Sequence, residues 1–134
     1  MVSLNFEQRK LTGIAHFFAA AGYSAGGLAR AWKEAAFRQE VAAGVLLVIV
    51  YTGLRVGFQT GFAAGILFLT LIAVEALNTA IEEIVDRISP EISTTAKHAK
   101  DLGSFAVLCL ITANVLLLCW AMWQSVLSMT SGMP

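Results

Sequence analysis

Three long apolar runs constrain this chain more than any other feature. The stretch from about Gly61 to Ile81 and "GSFAVLCLITANVLLLCWAMW" (103–123) each reach the roughly 20 residues that a bilayer core requires of a helix. The third, "VAAGVLLVIVYTGL" (41–54), is shorter and spans only if flanking residues such as "RVGF" are carried along. Composition agrees: 57% of residues are hydrophobic and 13% charged, against roughly 45–50% and 25% in a soluble domain. The expected fold is an all-α membrane protein of one domain, 1–134, with spans at about 41–58, 61–82 and 103–123.

Lys and Arg give the orientation. Arg9, Lys10, Arg30, Lys33 and Arg38 precede the first span, Arg87, Lys97 and Lys100 lie in the loop at about 83–102, and only Arg55 falls on the other side. The positive-inside rule then makes the N-terminus and that loop cytoplasmic and puts the C-terminus on the opposite side. "MVSLNFEQRKLTG" shows no apolar core followed by a small-residue cleavage site, so no cleavable signal is expected. Cys109 and Cys119 share one span at a separation of about 15 Å, too far to pair, and are read as buried, inert thiols.

Residues of about 11–40 mix apolar side chains with Arg30, Lys33, Glu34, Arg38 and Glu40, which fits an amphipathic surface helix anchored by Tyr23 and Trp32. "AGG" (25–27) suggests a break within it. Gly53, Gly57, Gly61 and Gly65 recur every fourth residue; with an outer turn at 54–60, Gly61 and Gly65 would admit a neighbouring helix. Pro90 fits a turn, after which Ser93, Thr94 or Thr95 would cap a short helix ending near Gly103.

The stretch "VEALNTAIEEIVDR" (74–87) asks for a chemical explanation. At 100° per residue Glu75, Asn78 and Glu82 sit at about 0°, 300° and 340°, with Thr79 and Asp86 at about 40° and 20°, so all five share one stripe. A charge near mid-bilayer costs about 2.5–3.5 kcal/mol even on the lenient scale. The stripe therefore either packs against a helix that supplies polar partners or lines a wet cavity near the membrane surface. Carboxylates so spaced suit a base that deprotonates a hydroxyl, which needs a pKa raised by burial, and an oxygen ligand for Mg²⁺. Together these describe phosphoryl transfer, although neither a Walker-type nor a kinase-type glycine loop occurs.

"EAAFRQE" (34–40), "EALNTAIEEIVDRI" (75–88) and "AKDLGSFAVL" (99–108) resemble the integral-membrane diacylglycerol kinase family of bacteria, with its E-x-x-N-x-x-x-E-x-x-x-D-R and later K-D-x-G-S. The resemblance covers roughly residues 20–120 and unites three separated motifs with one topology.

It implies a homotrimer of three-span subunits with shared active sites in the bacterial inner membrane, transferring the γ-phosphate of MgATP to diacylglycerol to give phosphatidate, in lipid recycling. It implies Glu75 as general base with Asn78 orienting the group, and Glu34 and Glu82 as Mg²⁺ ligands that also meet ATP. Tyr23, Glu91, Ile92, Ser93, Lys100 and Asp101 correspond to further nucleotide contacts; Ala36, Phe37, Arg38, Gln39, Glu40, Glu75 and Ser104 correspond to the lipid site. The chain departs from the family at His16, where relatives carry an Arg, and in "LARAWKEAAF", which is one residue shorter.

Two rival functions remain open. Undecaprenol is phosphorylated by members of the same fold, and "EAAFRQE" resembles the diacylglycerol branch more. A transporter or assembly subunit using the stripe as an ion path would leave the "AKD" motif without a role. A nucleic-acid partner is not expected, because nine basic residues are balanced by nine acidic ones.

Overall fold

The computed structural model describes residues 14–89, 91 and 93–132. Arg9, Lys10, Pro90 and Ile92 lie outside them, as does the side chain of His16. The described residues form four helices and no strand: α1 (Ile14–Ala31), α2 (Ala35–Gly53), α3 (Phe58–Ile88) and α4 (Thr94–Ser131). The last three are long and apolar enough to cross a membrane.

Helix length positions the site. At 1.5 Å per residue, the 19 residues of α2 extend about 28 Å, close to the hydrocarbon thickness. The 31 residues of α3 and 38 of α4 extend about 46 and 57 Å. Both therefore overhang the apolar zone, and the charged overhang of α3 faces the start of α4.

The chain breaks its first long helical stretch at Trp32–Glu34, and not at 25–27 as the "AGG" suggests. Two glycines cost a helix about 1 kcal/mol each, and α1 runs through them. At 32–34 the last turn tightens, with Lys33 N–H donating to Arg30 O and Glu34 N–H to Ala31 O. Arg38 Nη1 donates to the carbonyls of Trp32 and Lys33, and the Trp32 ring meets Phe37 edge-on at 6.2 Å. Residues 35–40 thus belong to the first turns of α2 and not to the surface stretch.

Helix α4 likewise departs from the sequence expectation. Ser93 does cap it, its Oγ accepting from Ala96 N–H at 3.1 Å, but the helix passes Gly103 without interruption. Among the described residues no separate short helix stands between the loop and the span.

The three long helices bury residues on a seven-residue spacing: Phe37, Gly44 and Tyr51 on α2, Ala64, Leu71 and Asn78 on α3, Val107, Asn114 and Ala121 on α4. Such a spacing produces left-handed packing with interdigitating side chains. The antiparallel pair of α3 and α4 is the main contact of the chain. In lipid this seam is held by close packing, since acyl chains are as apolar as leucine. At one end it is Tyr51, Ala64 and Ala121; at the other it turns polar.

Gly44 and Gly103 are the glycines that permit close approach: a Cβ on Gly44 would enter the Phe68 ring, and one on Gly103 would strike Asn78 Oδ1. Gly61 and Gly65, expected to admit a neighbour, face open space within the chain. Cys109 and Cys119 are exposed, not buried, because each stands two positions off the α4 seam.

Candidate active site

Glu75 and Asn78 are buried seam residues of α3, while Glu82 and Thr79 are half-buried and Asp86 is exposed. The sequence stripe is therefore graded from inside to outside along one helix. Asn78 Nδ2 donates to Glu82 Oε1 at 3.2 Å. Its Oδ1 lies buried against Gly103 without a hydrogen-bond partner. The α4 glycine makes room for this amide, which fixes the distance between the two helices here.

Glu34 reaches the same place from the α1–α2 junction. It stands at the N-cap of α2 in extended conformation, φ −77° and ψ 136°, yet its side chain does not cap the helix. Instead Arg30 Nη1 donates to Glu34 Oε1 at 2.6 Å, and Arg30 Nη2 pairs with Glu83 on α3. This bridge draws the end of α1 onto the α3 overhang, and the Glu34 hydrogen bond, followed by the field of Glu83, raises the Arg30 pKa. Glu83 is a site neighbour that the sequence stripe missed; it lies on the adjacent face of α3.

The result is a polar pocket of about 280 Å³ lined by Glu34, Glu75, Asn78, Glu82 and Ser104, with Ala36 and Val107 closing it. Next to it lies an apolar cavity of about 470 Å³ between α2, α3 and α4. Ala36, Glu75 and Val107 line both. The apolar cavity also takes in Gln39 and Glu40, and Glu40 is buried with one carboxylate oxygen unpartnered. A larger groove of about 640 Å³ runs toward Arg55 but contains none of the candidate residues.

Other sequence candidates stay apart from this pair of cavities. Tyr23 is exposed on α1, and Glu91 and Asp101 are exposed in the hairpin region. Lys100 Nζ donates to Asp86 Oδ1 at 2.5 Å, tying the first turns of α4 to α3. Ser93 is engaged as helix cap and accepts from Ser89 Oγ. Phe37 packs against Trp32, and Arg38 is turned to the linker carbonyls.

A polytopic helical membrane protein, with a carboxylate and amide pocket where its two longest helices leave the apolar zone, is the class that fold and site define. The chain belongs to the prokaryotic diacylglycerol kinase family, whose model matches residues 22–122. It is 58% identical over 105 residues to a diacylglycerol kinase of a Sinorhizobium species, covering 78% of this chain and 77% of that one. It is 42% identical over 114 residues to the diacylglycerol kinase of Escherichia coli, covering 84% and 93%. The Pseudomonas aeruginosa diacylglycerol kinase is 41% identical over 112 residues, covering 82% and 89%.

Proposed function

We propose that this protein phosphorylates diacylglycerol with ATP, as the names of its relatives suggest. One observation carries the reading: the buried Glu75 lines both the polar pocket and the apolar cavity. A hydroxyl borne on a lipid would enter from the apolar side and phosphates from the polar side, meeting at one carboxylate.

In this reading Glu75 accepts the proton of the lipid hydroxyl as its oxygen attacks the γ-phosphorus, and ADP departs in line. Asn78 holds Glu82 through its Nδ2 and offers its unpartnered Oδ1 as acceptor. Glu34 and Glu82 suit Mg²⁺, which uses one or two carboxylates and takes its other ligands from water and phosphate. Among the described residues no group of three or more His, Cys, Asp or Glu gathers there, so water and phosphate oxygens would have to supply the remaining ligands. Mg²⁺ there would neutralise phosphate charge, the main requirement of phosphoryl transfer.

Tyr23, Glu91, Ile92, Ser93, Lys100 and Asp101 are assigned to the nucleotide. Ala36, Gln39, Glu40 and Ser104 are assigned to the lipid with Phe37 and Arg38 at its margin. Lys100 would exchange Asp86 for phosphate, a change between two surface ion pairs that costs little. The exposed apolar faces of α1, with Phe17 and Phe18 69% and 68% accessible, suit a helix lying on the membrane. A homotrimer that completes each site from neighbouring subunits accounts for nucleotide residues lying outside the pocket of one chain. We place the protein in the inner membrane, N-terminus cytoplasmic and C-terminus periplasmic, with a role in lipid recycling.

The test is transfer of label from γ-labelled ATP by the purified protein in Mg²⁺-containing mixed micelles, with diacylglycerol and undecaprenol in parallel. Labelled phosphatidate supports the proposal. Label in the polyprenol replaces the substrate, and no label in either returns the stripe to structure or ion transport.

A further inference from the structure

The cavity between α2, α3 and α4 is apolar except at a few side chains, and one of them, Asn114, belongs to none of the motifs. It is buried on the α4 seam between Val107 and Ala121. An amide carries two N–H donors, and burying one unpaired is costly. Asn114 Nδ2 donates to Leu110 O of its own helix at 2.9 Å, and its amide makes no other hydrogen bond among the described residues. One donor is left for whatever fills the cavity.

The direction of that amide matters. Glu75 shares the polar pocket with Val107, and Asn114, seven residues further on, lies about 10 Å deeper along α4. The bond to Leu110 turns the side chain back toward the Val107 end of the cavity, where Glu75 and Val107 also line the polar pocket. A glycerol diester presents ester carbonyl oxygens five or six bonds from its hydroxyl oxygen, a short enough reach for both groups to lie in the one cavity that Glu75 and Asn114 line. A polyprenol has only hydrocarbon at that distance.

We infer that Asn114 is a specificity-determining residue, donating its free amide N–H to an ester carbonyl of the glycerolipid whose hydroxyl lies at Glu75. This rests on the proposed lipid kinase activity and names the chemical group that the site recognises beyond the hydroxyl. A site that donates to a substrate acceptor discriminates against the analogue lacking it, because the buried donor is then left unpaired. A hydrogen bond of ordinary net strength corresponds to a preference of about tenfold.

The experiment compares kcat/KM for a 1,2-diacylglycerol and for the 1,2-dialkyl glycerol ether of equal chain length, in the wild type and in Asn114→Leu. The wild type should favour the ester about tenfold, and Asn114→Leu should narrow the preference to less than about twofold. The wild-type comparison requires no variant to fold. An equal rate on ester and ether in the wild type overturns the inference, as does an undiminished ester preference in Asn114→Leu. A parallel loss on both lipids with a changed oligomer size on gel filtration would make Asn114 a packing contact between copies and also overturn it. Absence of transfer to every lipid by the wild type would instead remove the kinase reading, and this inference with it.

Discussion

The side-chain oxygen of Asn78 rests where a Cβ on residue 103 would have to stand, so Gly103 and Asn78 are an interlocked pair across the α3–α4 seam. Inserting a methyl into a packed seam costs about 1–3 kcal/mol. Gly103→Ala should therefore lower stability by about that amount, read as unfolding in detergent, and reduce turnover by displacing Asn78 from Glu82. In an Asn78→Ala background the same change should cost much less, since coupled residues are non-additive. Equal costs in both backgrounds would separate the two residues.

Glu34 and Glu82 should report on metal and nucleotide together. Glu34→Gln and Glu82→Gln are expected to raise the Mg²⁺ and ATP concentrations for half-maximal rate by about tenfold or more, the loss of one charge-assisted contact. Titrating each variant with Mg²⁺ at fixed ATP checks this. An unchanged Mg²⁺ dependence would assign both carboxylates to structure.

Arg30 bridges Glu34 and Glu83 and so docks the end of α1 on α3. Glu83→Gln should loosen this docking without touching the pocket, visible as increased mobility of a spin label on the exposed face of α1 and a severalfold drop in rate. Arg30→Gln should do the same, and the double variant little more. A rigid α1 in Glu83→Gln would show that other contacts hold it.

Lys100 has two candidate partners, Asp86 within the chain and the nucleotide. Were it only an ion-pair partner, Lys100→Met and Asp86→Asn would act alike. The nucleotide assignment predicts a KM for ATP about tenfold higher in Lys100→Met and an unchanged or lower one in Asp86→Asn.

The spans were legible in the sequence because some 20 consecutive apolar residues leave a helix little alternative, and the stripe through Glu75, Asn78 and Glu82 because helical periodicity suffices to align it. The break at Trp32–Glu34 was not, because it depends on Arg38 reaching back to two carbonyls, a contact without a local signature. Glycine spacing pointed to Gly61 and Gly65, but whether a glycine is needed depends on what stands opposite: Phe68 opposite Gly44, and Asn78 opposite Gly103. Asn114 escaped notice for a related reason. One amide in a long apolar run carries no periodicity of its own, and its meaning comes from the cavity that it shares with Glu75.

In the proposed reaction Glu75 takes the proton of a lipid hydroxyl at the membrane boundary. The most direct measurement is turnover and ATP binding together in Glu75→Gln, which keeps the shape of the side chain and removes its basicity. The expected result is a rate lower by about 10²–10⁴ with ATP affinity essentially that of the wild type. Turnover near the wild-type rate would contradict it and assign the base to another residue.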